Sequence, residues 1–177
     1  MTTLQWSDAL ALDLPLMDDT HREFVDLLAA VERADDAALG QAWQTLVDHT
    51  QDHFDREDRW MRDTRFSSTN CHSMQHRVVL QVLREGSAQA AQGNLTPIRH
   101  MAPELAAWFP QHAQSMDAAL ALHLRRVGYD PLTGVVHAPH ALPDEVITGC
   151  GGACSTPEAD NTALPEPAAE QTQPQAA

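Results

Sequence analysis

Apolar residues recur along this chain in four separated runs with helical spacing. In the first run, Phe24, Val25, Leu28 and Val31 fall on one face, which predicts a helix from about Asp19 to Asp35. Asp19 or Thr20 is placed to cap it, with Glu23 in the first turn. The second run starts at about Asp36 or Gly40 and ends at Arg62, with the stripe Trp43, Leu46, Thr50, His53, Glu57 and Trp60. Residues 63–70 are polar and rich in turn formers, so a loop is expected there. The third run, Cys71 to Gln92, puts His72, His76, Val79, Leu80 and Leu83 on one face and stops at Gly93-Asn94. A fourth begins at Thr96-Pro97, read as a cap followed by proline at the first helical position. It carries Leu105, Trp108, Phe109, His112, Met116 and Leu120 and ends near Gly128. Pro103 and Pro110 fall inside it. Pro110 is expected to kink the helix, and a short helix at 97–102 with a second one starting near Pro103 is the alternative.

Four amphipathic helices with short connections predict an all-α fold, an antiparallel up-down-up-down four-helix bundle. Residues 1–18, with Pro15 and Leu10, Leu12, Leu14 and Leu16, are expected to form an irregular arm before it. The domain expectation is a bundle over 1–130 and a tail over 131–177. The tail holds seven of the 11 prolines, six acidic residues and no basic one. From Ser155 onward it is Pro/Ala/Glu/Gln-rich, with too little apolar surface to offset the entropy of ordering, so the tail is expected to be largely disordered.

Charge narrows the choice of partner. The net charge is −14, and all 11 basic residues are Arg. Such an acidic surface argues against nucleic acid or an anionic membrane. No apolar run approaches the length of a membrane span, the N-terminus lacks the basic start of a secretory signal, and three cysteines do not make a disulfide framework. A cytoplasmic location is the expectation. Ten histidines in 177 residues is the oddity that composition leaves to be explained.

The histidines sit on the apolar faces. His21 lies three residues before Phe24; His53 and Glu57 are four apart, as are His72 and His76; His112 and Asp117 are five apart. Residues four apart on a helix lie one above the other. A lone histidine on an apolar face is ordinarily a hydrogen-bonded core residue, and a lone carboxylate there a boundary residue. Five imidazoles and two carboxylates converging from all four helices are explained by neither. Burying them costs several kcal/mol each unless something pairs with them, and a metal would. Seven donors are too many for one tetrahedral zinc. With two metals, two bridging carboxylates and a bridging oxide or hydroxide, they fill all but one position of two octahedra. That leaves one place for a small ligand. Imidazole with carboxylate suits iron.

The order His21, His53-x3-Glu57, His72-x3-His76, His112-x4-Asp117, with the segments Met17-Asp-Asp-Thr-His-Arg-Glu-Phe24 and His53-Phe54, resembles the hemerythrin family over about residues 5–128. The resemblance implies a non-haem di-iron centre with a bridging oxo or hydroxo group that binds O2. It also implies that His72, His76 and His112 hold one iron, that His21 and His53 hold the other, and that Glu57 and Asp117 bridge. The open position would be on the iron with two histidines. Carriage, storage or sensing of O2 follows as the expected function. The alternative is a di-iron enzyme acting on peroxide or NO, or an iron-handling protein, with tail cysteines as redox partners. Ferritin-like storage is disfavoured because the chain has no Glu-x-x-His pair.

On an ideal α-helix, positions five apart point about 140° away from each other. His112 and Asp117 can share a site only through a local distortion near 110–117, expected to be a π-type turn. Phe24, Phe54, Trp108 and Met116 are expected near the open position. His49 is expected beside the site or at the surface. His100 and His123 carry no motif, and His123 near a helix end is placed to favour the dipole. The tail motif Cys150-Gly-Gly-Ala-Cys154, preceded by His137 and His140, is open to three readings: a disulfide-forming pair, a transient metal site or an incidental loop. The acidic tail is also the place where a protein partner would dock.

Overall fold

A computed structural model describes residues 4–66 and 71–147. The helices are α1 (Pro15–Arg33), α2 (Asp36–Asp63), α3 (Cys71–Ala91), α4 (Thr96–His112) and α5 (Ala118–Arg126), with a π-helical turn, Ala113–Asp117, joining the last two into one rod. α1 packs on α2 and α4, and α3 packs on α2 and α4, which closes a four-helix bundle. There is no strand among the described residues, only a bridge between Tyr129 and Val136.

Two helix starts, those of α1 and α4, differ from the sequence expectation. α1 starts at Pro15, so the arm is shorter than expected. Proline has no N–H to lose at a first helical position, and its φ is already helical. Asp19 and Thr20 are therefore inside the helix. Asp19 pairs with Arg22 at 2.6 Å, and the Thr20 hydroxyl donates to the Leu16 carbonyl at 2.8 Å. Asp18 turns back instead and accepts from the Leu12 N–H at 2.7 Å, tying the arm to the first turn. α2 begins at Asp36, the earlier of its two expected starts, capped by the Asp35 carboxylate accepting from the Ala38 N–H at 2.9 Å. α4 runs unbroken through Pro103 and Pro110, with Leu95 in the capping position and Thr96 already helical. The alternative break near Pro103 does not occur.

Past Asp130 the chain stays against the bundle as far as Ile147. The Ile147 N–H donates to the Arg65 carbonyl at 3.0 Å, Arg65 donates to the Pro143 carbonyl at 3.1 Å, and the Tyr129 hydroxyl donates to Asp63 at 3.0 Å. Cys150, Cys154 and the Ser155–Ala177 stretch lie outside the described residues. No described helix is long and apolar enough to cross a membrane.

The core falls into two apolar clusters. One gathers Phe24, Leu28, Trp43, Leu46, Phe54, Leu83, Ile98 and Phe109 among others; the second gathers Met17, Trp60, Met61, Leu120 and Leu124. Every helix that enters both changes cluster at a polar residue: α1 between Met17 and Phe24 at His21, α2 between Phe54 and Trp60 at Glu57, and the last rod between Phe109 and Leu120 at His112 and Asp117. The bundle thus has a dry layer above and below a polar one.

Candidate metal centre

The polar layer holds the seven side chains that sequence spacing singled out. His21, His53, Glu57, His72, His76, His112 and Asp117 are each 2% exposed or less. They form two groups of donor atoms, each within 4.8 Å of one another. One is Glu57, His72, His76, His112 and Asp117; the other is His21, His53, Glu57 and Asp117. The carboxylates belong to both.

Each partner in a group arrives by its helix spacing. His53 and Glu57 stack one turn apart, with Nε2 to Oε1 at 3.0 Å. His72 and His76 stack likewise, ring centroids 4.4 Å apart. His112 and Asp117 meet through the π turn. Its i to i+5 bonding brings residues five apart toward one face, and His112 Nε2 lies 3.2 Å from Asp117 Oδ1. Across helices, His72 Nε2 is 2.9 Å from Asp117 Oδ1 and 3.3 Å from Glu57 Oε2, His76 Nε2 is 3.4 Å from Glu57 Oε2, and His21 Nε2 is 3.2 Å from Asp117 Oδ2.

Those spacings test whether a metal fits. Donors bound at about 2.1 Å and at right angles around one ion stand about 3.0 Å apart. Most of the pairs are near that spacing, yet of these only His53 Nε2 and Glu57 Oε1 meet as a hydrogen bond. Nε2 of His21, His72, His76 and His112, Oε2 of Glu57 and both oxygens of Asp117 are buried with no hydrogen-bond partner among the described residues. Orphaned buried polar atoms are rare in proteins and point to a missing ion or water when they cluster. Imidazole and carboxylate donors in this number suit a first-row transition metal.

Without a metal, protons take up the strain. Burial pushes the His72 imidazolium down, but the close carboxylates of Asp117 and Glu57 outweigh it and raise its pKa to about 10. His21 and His76 also rise against burial, through Asp117 for the first and Asp58 and Glu57 for the second. At His53 burial prevails and the pKa falls. Burial and the Asp117 charge push Glu57 up, yet the facing His53 and His72 hold it well below the usual carboxylate range. Burial likewise opposes the ionised form of Asp117, and His112, His21 and His72 outweigh it. Two anionic carboxylates ringed by imidazoles are a cation site in electrostatic terms.

The surrounding aromatic residues are arranged differently from expectation. Phe54 stacks on His76 with centroids 3.9 Å apart, and Trp108 stacks on His112 at 4.5 Å, so both flank the three-histidine group. Phe54 also lies 5.3 Å from His53. The two-histidine group is bounded by Phe109, edge-on to His21 at 5.2 Å, and by Phe24 stacked on Phe109 at 4.5 Å. Phe109 had stood out only as core. Met116 is half-buried. His49 stands beside the site, 3.2 Å from the Thr20 carbonyl, and is in neither donor group. His123 is buried, not an exposed helix-end charge. Its Nε2 lies 3.0 Å from the Thr64 carbonyl, and burial lowers its pKa. His100, His137 and His140 are exposed.

Sequence reasoning missed Asp58 and Gln75. Asp58 Oδ1 is 3.1 Å from His76 Nδ1, and Gln75 Oε1 is 3.1 Å from His112 Nδ1. Both look like solvated helix residues. The available signal was phase: Gln75 follows His72 by three and precedes Val79 by four, at the edge of the face turned to α4.

A helical bundle with a buried, layered cluster of imidazoles and carboxylates defines the class: a metal-binding four-helix-bundle protein. The family profile described as Hemerythrin HHE cation binding domain matches residues 12–122. A bacteriohemerythrin of Ralstonia nicotianae is 36% identical over 130 residues, covering 73% of this chain and 95% of that protein. Bacteriohemerythrins of Stenotrophomonas maltophilia and Pseudomonas aeruginosa are 27% identical over 127 residues and 26% identical over 89 residues, covering 68% and 48% of this chain and 81% and 58% of theirs. No solved structure matches the chain. The chain belongs to the hemerythrin family.

Proposed function

We propose that this protein binds O2 reversibly, for carriage, storage or sensing, at two iron ions held by His21, His53, Glu57, His72, His76, His112 and Asp117. The observation that carries the reading is the sharing of Glu57 and Asp117 by both donor groups. A carboxylate common to two groups is a bridge when each group holds an ion. His72, His76 and His112 would serve one ion, and His21 and His53 the other. The second group is one donor shorter, which supports a vacant position for a small ligand there. Two ferrous ions held by these residues would supply the electrons for reversible binding of O2.

The chain's own part is to hold and to exclude. The two apolar clusters keep water from the polar layer, so the ligand set is not hydrolysed off and bound O2 is not readily protonated. Phe24 and Phe109 wall the two-histidine group with apolar surface. Glu57 and Asp117 stay ionised and so remain competent to bind cations.

The test is iron loading followed by spectroscopy. Two irons per chain and a visible band that appears when the reduced protein meets air and leaves on degassing are expected. One metal per chain with no visible band sinks the reading. A band that decays with consumption of peroxide or NO moves the protein to the enzyme alternative.

A further inference from the structure

One ligand nitrogen in this site is prepared by a residue outside the ligand set. Trp108 Nε1 lies 3.3 Å from Gln75 Oε1, and His112 Nδ1 lies 3.1 Å from the same atom. An indole nitrogen is a donor only. The Gln75 atom facing it is therefore the amide oxygen and not the nitrogen, which settles the orientation that an amide alone leaves open. An acceptor at His112 Nδ1 means that Nδ1 carries the proton. Nε2, the nitrogen 3.2 Å from Asp117, is left with its lone pair in the polar layer. Trp108 and His112 are one turn apart on α4 and stack at 4.5 Å with 29° between planes, so indole and imidazole present their N–H groups side by side to one oxygen on α3.

We propose that Gln75 is a positioning residue for the metal centre, keyed by Trp108, which fixes the tautomer and ring plane of His112. The inference rests on the proposed metal site and adds a residue to it. The contrast within the site gives Gln75 a distinct place. His76 has the carboxylate of Asp58 at 3.1 Å on its outer nitrogen, whereas Nδ1 of His21, His53 and His72 has no partner among the described residues. The three-histidine group thus carries one anionic and one neutral outer acceptor, and the two-histidine group carries none. Outer acceptors raise the basicity of an imidazole ligand and hold its orientation, and losing one typically costs 10–100-fold in metal affinity. The three-histidine position is accordingly the tighter of the two.

The test uses the full chain loaded with zinc(II), which is diamagnetic and accepts these donors. Zinc affinity is measured by chelator competition, and the His112 imidazole N–H is followed by nuclear magnetic resonance in histidine-labelled protein. Wild type takes two equivalents and shows a slowly exchanging proton at Nδ1. Gln75→Leu loses about 10–100-fold in affinity at the tighter position and exchanges that proton faster. Gln75→Glu, which keeps an oxygen for both donors, retains affinity and protection, as a mere packing role would not require. Trp108→Phe frees the amide to flip and falls between them.

Wild-type affinity and protection in both Gln75→Leu and Trp108→Phe overturns the proposal while leaving the metal site standing. If Gln75→Leu does not fold, indistinguishable exchange in Trp108→Phe and Gln75→Glu overturns it equally. A wild-type chain that takes no zinc overturns both readings at once.

Discussion

His112 and Asp117 are five residues apart on one rod, yet His112 Nε2 lies 3.2 Å from Asp117 Oδ1. A regular α-helix would turn them about 140° apart. The π turn Ala113–Asp117 absorbs one residue, which does two things. It brings the two donors together, and the helix beyond it buries Leu120 and Leu124 as the helix before it buries Leu105 and Phe109.

Deleting exposed Gln114 therefore converts the pair to a four-residue spacing on a regular α-helix without rotating the residues beyond the turn. The deletion variant is expected to fold with a melting temperature at or above that of the wild type. Deleting exposed Ala107 from regular α4 turns everything beyond it by about 100° and is expected to unfold the bundle. Thermal unfolding by circular dichroism checks both. Collapse of the Gln114 deletion would show that the π turn does more than absorb a residue.

That turn was legible because chemistry and period disagreed. Histidine and aspartate both belonged to the site, and only a distortion reconciles a spacing of five. The four helices were legible for the opposite reason: in α2, Trp43, Leu46, Thr50, His53, Glu57 and Trp60 follow the helical period and all are buried. The start of α1 was not legible. Several acidic residues stand near it, and the one at the turn, Asp18, accepts from the arm rather than capping the helix. Asp58 was illegible, and Gln75 legible only by its phase, because a polar residue on a helix edge reads as solvated until the neighbouring helix is in place.

The shared carboxylates separate the ligands by consequence. Glu57 is in both donor groups, while His21 is in only one. If the proposed di-iron site forms, Glu57→Gln, which keeps size and hydrogen bonding but removes the charge, is expected to lose both metals. His21→Gln is expected to keep about one iron per chain, on the three-histidine side. Metal analysis after desalting reads the difference. Equal losses in the two variants would mean that the groups do not act as separate positions bridged by Glu57.

Away from the polar layer, Gly86 marks a close approach of α3 to α2 and α4. A Cβ there would lie 2.6 Å from Met101 Cε and 2.9 Å from Trp43 Nε1. The Met101 tip can move. Trp43 is fully buried and its N–H donates to the Leu83 carbonyl at 3.0 Å, so it cannot move without breaking that bond. Gly86→Ala is expected to cost about 1–3 kcal/mol from overpacking, despite the gain of about 1 kcal/mol that alanine brings to a helix interior. Urea unfolding measures it, and metal content is expected to be unchanged. A stabilised variant would mean that Trp43 has room the packing does not reveal.

Protons and metal compete for the same atoms, so pH acts with opposite sign on the two forms. In the metal-free protein His72 is raised from 6.5 to about 10. A raised folded-state pKa contributes stability that is complete below pH 6.5 or so and is lost as pH climbs through about 10. His21 and His76 shift the same way. His53 shifts down, so its contribution lies below that window, and the depressed Glu57 and Asp117 are fully ionised throughout it. Between about pH 7 and 9 the melting temperature of the chelator-treated protein is therefore expected to fall. The metal-loaded protein has no proton on those nitrogens, and each pH step leaves fewer protons to displace on binding. Its melting temperature is expected to rise over the same range at fixed free metal. Slopes of the same sign in both forms would mean that the imidazoles of the polar layer are not where metal and protons exchange.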